Sequence, residues 1–207
     1  MLEFLRGKVS DRKLRLFAVG CVRRIWNLSQ WNIAVLNGVV SRAAVESAER
    51  NADGLEDDST LRMITNGTCL YHPAGCTIQF PAIDAARLTA VASSREAAVD
   101  LDRWEETEGE PNEMVLVREM RAQISVAQDI FGNPFRPVVF DPAWRSDTAV
   151  QLAKHIYEAR DFSTMPILAD ALQDAGCDND AILTHCRDAN GVHVRGCWVH
   201  DEVLGKK

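Results

Sequence analysis

From Glu113 onward the chain is cut at short intervals by residues that stop helices: Gly132, Pro134, Pro137, Pro142, Pro166, Gly176 and Gly191. Between the cuts, apolar residues recur every three or four positions, the period of a helix that buries one face. A chain punctuated in this way can only build short helices joined by tight turns. The expected fold class is therefore mainly α, an irregular multi-helix array.

The helical boundaries can be read from the cuts. Ser10 caps a helix running to about Leu28, with Leu14, Phe17, Ala18, Cys21, Val22, Ile25 and Leu28 on one stripe. Arg12, Arg15, Arg23 and Arg24 fall largely off that stripe and are expected to face water. Trp31 to Val40 is apolar without a clear period. Helix resumes over Ser41 to Ala52 and ends at Asp53-Gly54. Glu113 to Phe131 reads as an amphipathic helix with Val117, Met120, Ile124, Ala127 and Phe131 turned inward. Asp147 caps a helix to Arg160, Pro166 opens one that ends at Gly176, Asp178 caps one to Arg187, and a last helix covers Val194 to Leu204.

The middle of the chain is different. Residues 55–81 carry the turn signals Asn66-Gly67 and Pro73-Ala-Gly75, and Thr77-Ile-Gln-Phe80 alternates like a brief strand, so a small β-hairpin or loop insertion is expected. Ala82 to Trp104 is Ala-, Arg- and Glu-rich and helical in pattern. Glu105 to Glu113 holds five glutamates with a glycine and a proline, a solvated linker. The expected organisation is a helical part over 1–54, a variable insertion and acidic linker over 55–113, and a helical domain over 114–207.

Composition narrows the function classes. With 207 residues, 46% of them hydrophobic, the chain can bury a core without disulfides or a metal. No apolar run reaches the roughly 20 residues of a membrane span, and Met1 to Lys8 lacks the long apolar stretch of a secretory signal, so a cytoplasmic location is expected. Six cysteines then read as reduced thiols or metal ligands. Residues 1–50 hold nine Lys/Arg against four Asp/Glu, whereas 51–113 hold four against thirteen. The net charge of −7 disfavours nucleic acid as a partner, and the opposed segments are expected to pair with each other.

The words Phe131-Gly-Asn-Pro-Phe-Arg-Pro-Val138, Asp141-Pro-Ala-Trp144, Leu168-Ala-Asp-Ala-Leu172, Ala175-Gly-Cys177, His185-Cys-Arg187 and His193-Val-Arg-Gly-Cys-Trp198 stand close together. With the opening Met1-Leu-Glu-Phe-Leu-Arg-Gly-Lys8 and Asp11 to Ala18, they resemble the signature of an uncharacterised helical family abundant in planctomycete bacteria. The resemblance covers roughly residues 1–53 and 128–205. It implies a helical fold and carries no activity with it.

Chemistry concentrates in one place. Cys177, His185, Cys186, His193, Cys197 and His200 lie within 24 residues. Thiolate and imidazole are the donors zinc prefers, so Cys177, Cys186, His193 and Cys197 form the candidate metal set, with His185 and His200 as alternates. Zinc is the one cofactor suggested. The competing reading makes the cysteines buried apolar residues between short helices. A third pairs Cys197 with His193 or His200 as a nucleophile. Cys69, His72 and Cys76 form a smaller cluster of the same kind. Phosphate loops, dinucleotide glycine motifs, a serine nucleophile elbow and His-Glu-x-x-His are all absent. The expected function is thus a non-enzymatic module that binds another protein, with a structural zinc. A cysteine- or metal-dependent enzyme built on residues 177–200 is the alternative.

Overall fold

A computed structural model describes residues 2–5, 7–25, 38–65, 82, 85–86, 89–90 and 113–206, and every regular element among them is helical. The chain divides into two compact units, Met1–Ile124 and Ser125–Lys207. No helix among the described residues is long and apolar enough to cross a membrane. The cluster Cys69, His72 and Cys76, the expected hairpin and the acidic linker lie outside the described residues.

In the first unit, α1 (Leu2–Leu5), α2 (Asp11–Ile25), α3 (Gly38–Ala52) and α4 (Asp58–Thr65) are followed by helical positions at 82, 85–86 and 89–90. Helix α4 occupies part of the stretch expected to be hairpin or loop; Asp57 caps it, its carboxylate accepting from the Thr60 N–H at 2.9 Å. Helix α2 buries more than one stripe: Leu14, Leu16, Phe17, Ala18, Val19, Cys21 and Val22 are all inaccessible. Val19 and Val22 pack with Ala44, Val45 and Ala48 of α3 and Leu61 of α4. Arg15, expected in water, is buried. The other α2 arginines meet acids: Arg12 pairs with Asp53 at 3.3 Å, Arg23 with Glu49 at 2.8 Å and Arg24 with Glu119 at 2.7 Å. Of these three pairs, Arg12–Asp53 joins the basic segment 1–50 to the acidic segment 51–113, whereas Glu49 lies within the basic segment and Glu119 beyond the acidic one.

Helix α5 (Glu113–Phe131) has the expected bounds, but of the positions expected inside only Ala127 is buried and the inward face is rotated from the expected one. Val117, Met120 and Ile124 are 41%, 52% and 48% exposed, while Glu119, Gln123, Val126, Ala127, Asp129 and Ile130 are buried. The buried face is chosen by polar partners that a hydrophobic pattern does not register. Glu119 takes Arg24, and Gln123 Nε2 donates to the Ala90 carbonyl at 3.0 Å.

The second unit is built from the end of α5, a 3₁₀ turn Pro142–Trp144, α6 (Asp147–Ala159), a 3₁₀ turn Phe162–Thr164, α7 (Met165–Asp174), α8 (Asp180–Arg187) and α9 (Trp198–Leu204). The caps sit one residue from their expected places. Ser146, not Asp147, accepts from the Ala149 N–H, and Asn179, not Asp178, accepts from the N–H groups of Ala181 and Ile182. The last helix starts at Trp198, so His193 to Gly196 form a non-helical strap with a turn at Arg195-Gly196, and Cys197 is the N-cap. Ala149, Ala153 and Ile156 of α6, Met165, Leu168 and Leu172 of α7, Ile182 and Cys186 of α8, and Val199 and Val203 of α9 share one core.

Gly132 ends α5 at φ +63°, where a Cβ would lie 3.3 Å from the Trp198 indole. Gly132→Ala is expected to cost about 1–2 kcal/mol, the left-handed penalty plus displacement of Trp198. Asn179→Ala should cost about 1 kcal/mol by leaving two N–H groups of α8 without their cap. Urea denaturation midpoints of the two variants measure both losses.

Candidate metal centre

Asp129 is the centre of the arrangement. It lies on the buried face of the last turn of α5, flanked by Val126, Ala127 and Ile130, and its side chain is 2% exposed. Its Oδ1 faces His193 Nδ1 at 2.8 Å and His185 Nε2 at 3.2 Å, and its Oδ2 accepts from the Val194 N–H at 2.9 Å. A carboxylate can only accept, so His193 carries its proton on Nδ1 in this state. Burial alone would raise the Asp129 pKa; the hydrogen bonds from His185 and His193 outweigh it and hold the carboxyl below its ordinary value.

The second histidine comes from α8. Cys186 turns into the apolar core, and the adjacent His185 is thereby swung toward Asp129. Its Nε2 also lies 3.1 Å from Cys197 Sγ. The His185 ring is wedged edge-to-face against His193, with centroids 4.9 Å apart, and 5.3 Å from Trp198. Turns at Asp188 to Gly191 lead the chain back, and the Cys197 N–H donates to the Val194 carbonyl at 3.0 Å, which curls the strap so that the sulfur faces the histidines.

One oxygen, two imidazole nitrogens and one sulfur therefore converge, all within 4.8 Å of one another. A tetrahedron with bonds of about 2.0 Å to nitrogen and oxygen and about 2.3 Å to a single sulfur has edges of about 3.3–3.5 Å. The close contacts of 2.8, 3.1 and 3.2 Å are hydrogen-bond lengths, a few tenths of an ångström short of those edges. A buried Asp/His/His/Cys group of this geometry can hold a metal ion.

Of the residues singled out in the sequence, His193 and Cys197 are in this group, and so is the alternate His185. Cys177 and Cys186 are buried in the apolar core and stand outside it. The last helix, expected from Val194, starts only at Trp198, so His193 stands on the non-helical strap and Cys197 at the helix cap. Burial raises the Cys177 thiol and pushes that of Cys186 up to about 12, so both are neutral apolar residues. His200 is also outside the group. It is fully buried, stacked on Tyr157 with centroids 5.6 Å apart, and neither of its ring nitrogens has a hydrogen-bond partner.

Cysteine and histidine spacing carries no trace of Asp129. The signal was present: an aspartate on the stripe formed by Glu119, Gln123, Val126 and Ile130. No protein-family model, curated protein or solved structure matches the chain.

Burial lowers the His200 imidazolium to about pKa 4, below its ordinary 6.5. The unfolded chain takes up this proton first as the pH falls, so stability is lost between about pH 6.5 and 4 and is flat on either side. The difference in unfolding free energy between wild type and His200→Phe should shift by about 3 kcal/mol across that window, measured by urea denaturation at a series of pH values.

Proposed function

We propose that Asp129, His185, His193 and Cys197 bind one zinc ion, and that the second unit is a metal-locked, non-enzymatic interaction module. The observation that carries this is the convergence of four donor atoms, from α5, α8 and the strap before α9, on one buried point. A mixed thiolate, imidazole and carboxylate set at tetrahedral spacing suits zinc better than calcium or magnesium, which take oxygen donors. Four protein donors leave no open position, the mark of a structural site.

The nucleophile reading is weaker on two counts. In a Cys-His-Asp relay the acid and the thiol meet opposite nitrogens of the imidazole. Asp129 and Cys197 both approach Nε2 of His185. Burial, and then the Asp129 charge, also hold the Cys197 thiol well above its ordinary value, so it is protonated without a metal. His185, His193 and Cys197 fall within the words that carry the resemblance to the planctomycete family, and we propose that kinship on the same residues.

Elemental analysis of untagged protein is expected to find about one zinc per chain. Cobalt substitution should add a sulfur-to-metal charge-transfer band that Cys197→Ser abolishes while Cys177→Ser leaves it intact. Removing zinc from protein held at about a thousandfold excess over Kd should lower stability by about 4 kcal/mol. Protein that binds neither metal, with Asp129→Asn as stable as wild type, would overturn the reading.

A further inference from the structure

Among the described residues, two hollows border the four-donor cluster, each touching a different histidine. One, of about 340 Å³, is lined by His193 and Cys186 together with Phe162, Met165 and Pro166. The other is a groove of about 520 Å³ along α8, lined by Thr184 and His185 of that helix, by Asp188 just past its end and by Gln173 of α7. A centre built inside a core needs a path by which an ion reaches it.

The four donors are unequally covered. The side chain of Asp129 is 2% exposed and that of His193 6%, and Cys197 is wholly buried, whereas the side chain of His185 is 20% exposed. The first hollow thus borders a histidine with Nδ1 held by Asp129 and Nε2 buried. The groove borders the donor with the thinnest cover. Its charge suits a cation as well. Asp180 and Asp188 are among its lining residues, while the Arg187 guanidinium is tied to Asp170 and Gln173 at 2.7 Å each. Negative charge around a cleft raises the local concentration of cations.

We propose that the ion enters and leaves the centre formed by Asp129, His185, His193 and Cys197 through the groove along α8, past the His185 ring. This route presupposes the zinc reading above and adds to it how the ion gets in. His185 is also the donor that yields at least cost. Its ring rests against His193 and Trp198 with one side toward water, whereas moving Asp129 or Cys197 means opening the core.

Cobalt kinetics on the full chain test the route. Uptake is read from the growth of the sulfur-to-cobalt band when cobalt(II) is mixed with metal-free protein. Release is read from its decay in EDTA, at concentrations where the rate no longer rises with EDTA. Thr184→Trp and Gln173→Trp add an indole among the groove's lining residues, from α8 and from α7. Both positions are exposed, and far-ultraviolet circular dichroism checks that each variant remains helical. Each should slow uptake and release by at least about tenfold and leave Kd within about threefold, because an obstacle on a path slows both directions alike. Ala189→Trp, in the lining of the other hollow, should leave both rates unchanged. Cobalt that enters and leaves both groove variants as fast as wild type overturns the route and leaves the metal reading standing, and so does slowing by Ala189→Trp alone. A wild type that develops no cobalt band overturns the metal reading, and the route with it.

Discussion

An ionised carboxylate inside an apolar core is tolerable only when its oxygens are satisfied, and Asp129 meets that condition with three donors. Breaking a buried pair of this kind from one side costs about 3–5 kcal/mol, because the remaining charge has nowhere to go. That penalty gives the second unit its specificity. Hydrophobic burial alone lets short helices slide and rotate against one another with small losses. Asp129 accepts only one placement of the strap, with His193 Nδ1 on one oxygen and the Val194 N–H on the other. The position of α8 is restricted as well, since His185 must reach the same oxygen.

Helices α8 and α9 need such pins. With eight and seven residues they are far below the length at which a helix is stable alone. Their apolar faces contribute to the shared core, and their ends are tied by polar contacts. The Arg195 guanidinium donates to the Tyr157 carbonyl at 3.0 Å and lies over that ring, where Lys206 and His200 also pack. Trp198 sits between the closing glycine of α5 and the ring of His185. The four clustered donors are thus held by the same contacts that hold the helices.

Much of this fold was legible in the sequence. Glycine and proline cuts located α3, α5, α6, α7 and α8 to within a few residues, because a left-handed turn or a missing N–H is a local constraint that tertiary context rarely overrides. The inward face of α5 was not legible. Val117, Met120 and Ile124 outscore Glu119, Gln123 and Asp129 on any hydrophobic count, and only partners distant in sequence make the polar face the buried one. Asp129 escaped for the same reason: its partners lie 64 and 65 positions away. His193 and Cys197 were readable as donors, but the non-helical strap that leads from one to the other was not. Gly191 and Gly196 favour a strap there, and Gly196 adopts φ +91°.

The metal-free cluster and a metal-bound one draw on the same atoms, and this bears on what the site can do. Without a metal, protons on His193, His185 and Cys197 link the donors to Asp129 and to one another. A cation entering the centre would displace those shared protons. Asp129 and Cys197 are buried while His185 and His193 are half-buried, so the group closes over its carboxylate and thiol side and joins α5, α8 and the strap at one place.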